Sequence, residues 1–199
     1  MDKTALRARM KALLAGVPAP SLSSRSARAA ARLLATSWWR DAGTVLAYLA
    51  MPGEPDPRDV VAAARAGGKT TAAPLIVDGE LSFRVIAGDT DRLARDAWGI
   101  PQPEPSWPAW EPGPGAGNVL VVTPGLAFDA ELHRLGRGRG YYDRFLARLR
   151  ATPGIRCTAV AFCLDEQVVD RLPHDGRDQG VDAIVTDRRT IGRDRRVSP

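Results

Sequence analysis

An apolar strand predicted over Asn118 to Val122 leads through a glycine-rich loop into a helix predicted over Tyr141 to Arg150. Similar short apolar runs without breaks occur at Thr44 to Leu49 and at Cys157 to Cys163. Runs of this kind are typical of parallel strands that are covered on both faces. With a helix predicted at Pro57 to Ala66, the strands and helices alternate. The pattern predicts an α/β fold, an open, mostly parallel, doubly wound sheet with helices on both faces.

One pair of strands is expected to depart from the parallel order. Lys69 to Val77 and Leu81 to Ile86 both read as strands, and only a few residues separate them. The intervening Asp78-Gly79 is typical of a tight hairpin turn. The sequence therefore predicts an antiparallel strand within the sheet.

The ends of the chain complete the predicted domain. Apolar residues at helical spacing predict helices over Thr4 to Ala15 and Ser23 to Thr36, and a last strand is predicted at Val181 to Val185. A chain of 199 residues is long enough for one domain with a sizeable core. We expect a single domain over residues 1–187, followed by a flexible basic tail over residues 188–199.

The charge balance of the chain is compatible with two kinds of surface. Lys and Arg number 28 against 23 Asp and Glu, so the formal net charge is +5. A basic surface can attract nucleic acid or a small polyanion such as ATP or a polyglutamylated ligand. It is equally typical of scattered, solvated arginines, and we favour that interpretation for the tail. Because no sheet motif with interleaved aromatic residues accompanies the charge, we expect no nucleic-acid partner.

The sequence lacks the marks of a membrane or secreted protein. Its longest uncharged run, Pro112 to Phe128, is broken by proline and glycine, and the first residues are charged. The two cysteines, Cys157 and Cys163, would lie roughly 20 Å apart on one strand, too far for a disulfide. We therefore expect a cytoplasmic protein without a membrane partner. Separately, we expect a monomer.

The glycine-rich loop after the strand at Asn118 to Val122 indicates phosphate binding. Gly136, Gly138 and Gly140 alternate with Arg137 and Arg139. Glycine permits positive φ and a close approach of the backbone to a ligand. Successive amides can then point into one concavity, and the helix N-terminus that follows adds free N–H groups. An Arg/Gly run of this kind also occurs in flexible nucleic-acid-binding segments, so the spacing alone leaves that alternative open.

The loop differs from two common phosphate-binding motifs. A Walker A loop needs a Lys-Ser/Thr pair after its last glycine, and none follows Gly140. The dinucleotide fingerprint has its third glycine three positions after the second, whereas Gly140 follows Gly138 by two. Asp143, in the first turn of the next helix, could hold Mg²⁺ beside phosphate oxygens. The pattern predicts a nucleotide triphosphate site of another lineage.

Two segments, Pro124 to Asp129 and Arg134 to Arg144, together resemble the signature of the 5-formyltetrahydrofolate cyclo-ligase family, also called 5,10-methenyltetrahydrofolate synthetases. Other stretches agree with that family in the same order. They are Lys3 to Arg7, Tyr48 to Glu54, Trp98 to Pro103 and Leu172 to Thr186. The resemblance covers nearly the whole chain, and its glycine-tyrosine block is the most specific part.

The resemblance implies an ATP- and Mg²⁺-dependent reaction. 5-Formyltetrahydrofolate, with or without a polyglutamate tail, would become 5,10-methenyltetrahydrofolate with release of ADP and phosphate. The formyl group on N5 is amide-like, so its oxygen must first become a leaving group. Phosphorylation by ATP achieves this, and N10 then closes the ring. The protein would mainly position the reactants and stabilise charge on the phosphoryl group.

The resemblance also implies a role for each matching residue. Nucleotide binding is expected of Lys3, Arg7, Arg134, Leu135, Gly136, Arg137, Gly138, Arg139, Gly140, Tyr141 and Tyr142, with Arg139 and Tyr142 as catalytic residues. Folate binding is expected of Leu49, Glu54, Arg137, Gly138, Arg139, Gly140 and Tyr141. Asp143 and Asp178 are the expected Mg²⁺ ligands. Without the family, Glu54 would read as a solvated loop residue, Lys3 as a frayed terminus, Leu49 as core and Asp178 as a turn residue.

The chain departs from the family pattern at two places. The family has glycine two residues before Arg134, where this chain has Leu132. It also often has His-Asp at the position of Arg177-Asp178, and here a His-Asp pair lies three residues earlier, at His174-Asp175. Asp175 is therefore an alternative to Asp178 as the second metal ligand.

Overall fold

The computed structural model describes residues 2–86, 88, 90, 93–96, 99–113 and 116–192. Its strands are β1 (Thr44–Ala47), β2 (Thr70–Val77), β3 (Glu80–Val85), β4 (Gly117–Thr123), β5 (Ala127–Asp129), β6 (Arg134–Leu135), β7 (Ile155–Cys163), β8 (Val168–Val169), β9 (Ala183–Thr186) and β10 (Thr190–Gly192). A seven-stranded sheet has the order β10-β9-β7-β4-β1-β2-β3, and a small sheet has the order β6-β5-β8. The main sheet is the layer on which the rest of the chain packs.

The main sheet is parallel except at its two edges. Neighbouring strands from β9 to β2 run parallel, whereas β3 pairs antiparallel with β2 and β10 pairs antiparallel with β9. The hairpin between β2 and β3 turns at Asp78 and Gly79, with φ of 50° and 78°. Two successive positive φ values define the tight turn that Asp-Gly favours. The predicted mostly parallel sheet and the predicted hairpin are both confirmed.

Helices cover both faces of the main sheet, as predicted. They are α1 (Lys3–Ala15), α2 (Ala19–Leu34), α3 (Ser37–Asp41), α4 (Arg58–Ala66) and α5 (Tyr141–Ala151). Side chains alternate along a strand, so Val45 of β1 packs with α2 and α4, whereas the next residue, Leu46, packs with α5 on the other face. Burial on both faces explains why the strands are apolar without a break.

A third apolar cluster attaches α1 to the small sheet. Leu6, Met10 and Leu14, at helical spacing on α1, pack against Leu126 and Leu135 beside β5 and β6. Asp2 caps this helix, because its side chain accepts a hydrogen bond from the amide of Ala5 at 2.8 Å. The N-terminal helix is thereby fixed next to the glycine loop that follows β6.

The predicted boundaries differ from the observed ones where short elements are concerned. Helix α2 begins at Ala19 rather than at the predicted Ser23, since proline is compatible with the first turn of a helix and Pro20 lies there. Helix α3 and the strands of the small sheet, two or three residues long, were not predicted. Elements this short have too few residues to show a periodicity.

Two predicted features lie partly outside the described residues. The first is the Trp98 to Pro103 stretch, of which Trp98 is not described. Of the tail predicted at 188–199, Thr190–Gly192 forms edge strand β10, and residues 193–199 are not described. Among the helices of the described ranges, none has the length and apolar character needed to cross a bilayer.

Candidate active site

The loops with the predicted site residues meet at the carboxyl ends of the parallel strands. Glu54 lies in the loop after β1, and the glycine loop follows β4 by way of β5 and β6. Open α/β sheets bind their ligands at this edge. The topology therefore brings the predicted folate-binding and phosphate-binding segments to one edge of the sheet.

The glycine loop has the backbone conformation that its sequence predicts at two of its three glycines. Gly138 and Gly140 have φ of 106° and 68°, and Gly140 directly precedes α5. Gly136 must be small for another reason, since a Cβ there would lie 2.9 Å from Nη1 of Arg134. Arg7 of α1 donates from Nε to the carbonyl oxygen of Gly136 at 3.0 Å. The guanidinium of Arg7 is thus held against the loop.

The amides of this loop are available to a ligand. Among the described residues, no hydrogen bond uses the amides of residues 137–140 as donors. The N-terminus of α5 adds its own free N–H groups directly after them. A run of unpaired donors in a glycine-rich backbone is the arrangement that binds phosphate oxygens.

Arg137 and Glu54 form an ion pair between two loops at this edge. Nε and Nη2 of Arg137 both donate to Oε1 of Glu54, at 3.0 and 2.6 Å. The other carboxylate oxygen of Glu54 accepts the amide of Met51 at 3.2 Å. The side chain of Glu54 is 13% exposed and that of Arg137 is 39% exposed. The pair therefore closes the gap between the β1 loop and the glycine loop.

Asp143 is oriented by two hydrogen bonds to a single oxygen. Its Oδ1 accepts from Nη2 of Arg134 at 2.6 Å and from the amide of Gln179 at 3.0 Å. The Arg134 side chain is buried, which makes this ion pair a fixed part of the structure. Oδ2 accepts no hydrogen bond from the described residues, and so it can bind a ligand.

Lys3 lies between the two alternative metal ligands. Its Nζ contacts Oδ2 of Asp178 at 2.7 Å and Oδ2 of Asp175 at 2.9 Å. The hydrogen bond to Asp178, and after it the one to Asp175, raises the pKa of Lys3. In turn, the hydrogen bond from Lys3 lowers the pKa of Asp175. Asp178 also accepts the amide of Asp175 at 2.8 Å and directly precedes Gln179, the partner of Asp143. The backbone next to Asp178 thus contacts Asp143.

Tyr142 packs beside Arg134 in the interior of the site. The guanidinium carbon of Arg134 lies 5.8 Å from the centre of the Tyr142 ring. Tyr142 Oη and Arg134 Nε are both buried, and in the described part of the chain neither has a hydrogen-bond partner. Burial is the main cause that raises the pKa of Tyr142, so its hydroxyl remains a neutral donor at neutral pH.

The outer end of the loop is supported by Arg144. Its side chain donates to the carbonyl oxygens of Arg139 and Gly79 and pairs with Glu80, at 3.1, 3.2 and 2.9 Å. The guanidinium also lies 5.4 Å from the centre of the Tyr141 ring. Arg139 itself is exposed, and its side chain makes no hydrogen bond or ion pair with the described residues. Arg139 therefore remains available to a ligand.

Two leucines among the predicted site residues have structural contacts. Leu135 is buried and packs with α1, so only its backbone can face a nucleotide. Leu49 is half-buried and packs against the apolar cluster under α2 and α4, and its remaining surface lies beside the β1 loop. Leu49 thus packs against the core at the start of the loop that carries Glu54.

Asp129 organises the site and was not predicted to take part in it. This carboxylate is fully buried, and it accepts the amides of His133 and Leu172 and the ring Nδ1 of His133, at 2.9, 2.9 and 3.0 Å. Burial would raise the pKa of Asp129, but these bonds outweigh it and lower the pKa. The carboxylate joins the turn before Arg134 to the segment that leads to Asp178. The sequence feature that could have indicated this role is the position of Asp129 directly after the apolar Ala127-Phe128.

The residues at this edge fit a magnesium ion bound together with a nucleotide. Among the described residues no ready-made group of three or more His, Cys, Asp or Glu surrounds a metal position. Mg²⁺ does not require one, since it is commonly held by one or two carboxylates, phosphate oxygens and water. Asp143 and Asp178 supply two carboxylates next to the phosphate-binding loop.

Comparisons with known proteins agree with this architecture. The model of the 5-formyltetrahydrofolate cyclo-ligase family matches residues 1–187. The 5-formyltetrahydrofolate cyclo-ligase of Mus musculus is 27% identical over 192 residues, which cover 92% of this chain and 92% of the mouse protein.

Solved structures show the same fold. The 5,10-methenyltetrahydrofolate synthetase of Aquifex aeolicus superposes with a TM-score of 0.79 at 26% identity, covering 100% of this chain and 97% of that one. The enzyme of the same name from Mycoplasma pneumoniae gives a TM-score of 0.72 at 20% identity, covering 94% and 99%, a likeness of fold. The chain belongs to the 5-formyltetrahydrofolate cyclo-ligase family, ligases that convert 5-formyltetrahydrofolate to 5,10-methenyltetrahydrofolate.

Proposed function

We propose that this chain catalyses the ATP-dependent cyclisation of 5-formyltetrahydrofolate in the cleft between the β1 loop and the glycine loop. The observation that carries the proposal is the glycine loop itself, whose free amides lead into α5 beside Arg7 and Asp143. The family membership gives the overall conversion. The contacts in the cleft support the assignment of the individual steps.

The first step transfers a phosphoryl group. The formyl oxygen attacks the γ-phosphorus of ATP while the bond to the bridging oxygen breaks, and ADP leaves with that electron pair. Loop amides, Arg7 and the unpaired Arg139 supply donors to the phosphate oxygens, where charge develops. Tyr142, a buried neutral hydroxyl beside Arg134, can donate a proton in a hydrogen bond without losing it.

The second step closes the ring. N10 attacks the formyl carbon, which is now activated because its oxygen has become part of a phosphate ester. The C–O bond breaks, phosphate leaves with the electron pair, and N10 loses its proton. The product is the 5,10-methenyl cation, so atoms and charges balance with ADP and phosphate as the other products. The protein holds N10 close to the carbon and excludes competing water.

Two carboxylates would hold Mg²⁺ in this site. Oδ2 of Asp143 is free of hydrogen bonds from the described residues, and Asp178 lies one residue from the amide that binds Asp143. When bound, the ion neutralises charge on the nucleotide phosphates. Lys3 is close enough to Asp178 to move between that carboxylate and a phosphate.

Glu54 would bind the pterin ring of the folate. A pterin presents neighbouring N–H donors, and a carboxylate can accept two of them at once. Leu49, at the start of the same loop, would offer an apolar surface to the ring. Arg137 to Tyr141 would contact both ligands, because the loop lies between them.

We also propose a cytoplasmic monomer, as the sequence predicted. Among the described residues, the large apolar side chains that are exposed are Ile76 and Val77, a small patch at the end of β2. Stable dimers bury a larger apolar surface. Cys157 and Cys163 lie on β7 and are both free thiols, which agrees with a reducing compartment. Light scattering of the purified protein tests the monomer.

The assay that tests the function follows the methenyl product. Purified protein is mixed with 5-formyltetrahydrofolate, ATP and Mg²⁺, and the absorbance of the methenyl cation is recorded together with ADP release. We expect both signals to rise in equal amounts and to require all three reactants. A flat trace from folded protein that binds both substrates would contradict the proposal.

A further inference from the structure

The ion pair between Arg137 and Glu54 joins a residue expected to bind the pterin to a residue of the loop expected to contact both ligands. In the proposed function, Glu54 accepts N–H groups of the pterin, and Arg137 belongs to the loop between the two ligands, where its guanidinium would donate to an ATP phosphate. In the structure both donors of Arg137 go to Oε1 of Glu54, at 3.0 and 2.6 Å. Each residue therefore occupies the binding group of the other.

We propose that the two residues exchange partners when the ligands bind, and that ATP thereby raises the affinity of the enzyme for its folate substrate. The inference rests on the proposed function, because it needs a polyphosphate at the glycine loop and a pterin at Glu54. It adds a thermodynamic link between two sites that would otherwise bind independently.

The burial of Glu54 supplies the driving force for folate binding once Arg137 has moved away. Its side chain is 13% exposed, and within the described part of the chain its oxygens accept one hydrogen bond besides those from Arg137, from the amide of Met51 at 3.2 Å. A largely buried carboxylate is costly unless it is paired. When phosphate oxygens attract Arg137, Oε1 loses both donors and becomes a vacant acceptor. The N–H groups of a pterin can then donate to this unpaired Oε1.

The backbone around Arg137 permits this movement. Arg137 is more exposed than Glu54 and is flanked by Gly136 and Gly138, the latter at a φ of 106°. Glycine on both sides lets the backbone between them rotate with little steric cost. Arg7, which donates to the carbonyl oxygen of Gly136, holds the loop at its start. Arg137 can therefore turn from the carboxylate to a phosphate while the loop stays in place.

The coupling must be equal in both directions. If ATP strengthens folate binding by some factor, folate strengthens ATP binding by the same factor. Couplings between sites in one protein are typically about 5- to 150-fold, and for one displaced ion pair we expect roughly tenfold.

The experiment is a set of folate titrations with and without nucleotide. The dissociation constant of 5-formyltetrahydrofolate is measured by calorimetry, alone and with Mg²⁺ and a saturating non-hydrolysable ATP analogue. Arg137→Gln removes the cation from the pair. Arg65→Gln is the matched control, because it removes an exposed arginine from the last turn of α4, at the amino edge of the sheet.

For the wild type and for Arg65→Gln we expect the analogue to lower the folate dissociation constant about tenfold. For Arg137→Gln we expect tight folate binding already without the analogue, so the coupling factor falls to about one. Independent binding in the wild type would overturn the exchange, and so would tenfold coupling that survives in Arg137→Gln. Weaker folate binding by Arg137→Gln in both states would also overturn it. A wild type that binds no folate at all would instead refute the proposed function.

Discussion

The backbone amide of Gln179 donates to Oδ1 of Asp143 at 3.0 Å, which fastens the turn carrying Asp178 to the first turn of α5. Asp143→Asn keeps an acceptor at Oδ1 for this bond but removes the negative charge. We expect kcat to fall on the order of 100-fold and the Mg²⁺ requirement to rise, since a metal ligand is weakened. The free energy of unfolding should also fall, by about 3 kcal/mol, because the charge of the buried Arg134 loses its partner. Rates over a Mg²⁺ series measure kcat and the Mg²⁺ requirement, and urea unfolding measures the stability. Unchanged Mg²⁺ dependence would rule out this carboxylate as a ligand.

The choice between Asp178 and Asp175 can be settled by paired variants. Asp178 borders Gln179, whose backbone contacts Asp143, whereas Asp175 is the more exposed of the two partners of Lys3. We expect Asp178→Asn to raise the Mg²⁺ concentration for half-maximal rate about tenfold or more, and Asp175→Asn to leave it nearly unchanged. The same Mg²⁺ series measures both variants. A larger effect of Asp175→Asn would reverse the assignment.

A substitution of the exposed Arg139 can test a role in catalysis without a large change in stability. Its side chain has no hydrogen bond or ion pair with the described residues, so Arg139→Ala should change the free energy of unfolding by less than about 0.5 kcal/mol. If the guanidinium stabilises the transferred phosphoryl group, kcat falls about 100-fold. Steady-state rates and thermal melts are compared with those of Arg65→Ala on α4, which should match the wild type. Full activity in Arg139→Ala would show that this arginine faces only solvent.

Leu132 occupies a backbone position that suits glycine. Its φ is 70°, and its carbonyl oxygen accepts the amide of Val181 at 2.9 Å. Leu132→Ala and Leu132→Gly remove the same packing, but only glycine adopts this conformation without strain. We expect the Gly variant to be the more stable by about 1 kcal/mol, the reverse of the usual order. Urea unfolding of the two variants is the measurement. A more stable Ala variant would mean that the turn relaxes.

The sheet and its helices could be predicted because each central element repeats a pattern several times. β1, β4 and β7 are continuous apolar runs, and α5 shows its buried face at Leu146 and Leu149. Two-residue strands such as β6 and β8 carry no such repetition. β6 pairs with β5 across a short turn, and β8 pairs with β5 by a contact between distant parts of the chain.

The sequence names candidate residues for the site but not the contacts between them. Glycine spacing and the family pattern indicate which residues line the cleft. They do not show that Arg137 pairs with Glu54, 83 positions earlier, because such a contact depends on how two loops meet after folding. The buried role of Asp129 was missed for the same reason, since its partner Leu172 lies 43 positions later.

A buried ion pair at the carboxyl ends of β7 and β9 should make stability depend on pH. Asp187 is almost fully buried and accepts from Nε of Arg25 at 2.7 Å and from the amide of Asp165 at 2.9 Å. Burial would raise the pKa of Asp187, but the bonds from Arg25 and Asp165 outweigh it and lower the pKa. A lowered folded pKa stabilises the protein above the unfolded pKa of about 3.9, and this contribution is lost as the pH falls through the folded value.

Asp187→Asn removes this contribution and leaves the charge of Arg25 without its main partner. We expect a loss of about 3 kcal/mol at neutral pH and a flatter pH dependence of stability below about pH 4. Glu80→Gln, which breaks an exposed pair with Arg144, is the control and should cost less than about 1 kcal/mol. Urea unfolding over a pH series measures each variant. An unaltered acid slope in Asp187→Asn would assign the acid sensitivity to other carboxylates such as Asp129.

The side chain of Arg144 spans from the carbonyl oxygen of Arg139 to that of Gly79, and so it connects the glycine loop to the tip of the β2–β3 hairpin. The hairpin lies at an edge of the sheet, and through Arg144 it supports the loop that we propose binds phosphate. We therefore expect substitutions at that exposed tip to change the turnover of the enzyme before they lower the stability of the fold.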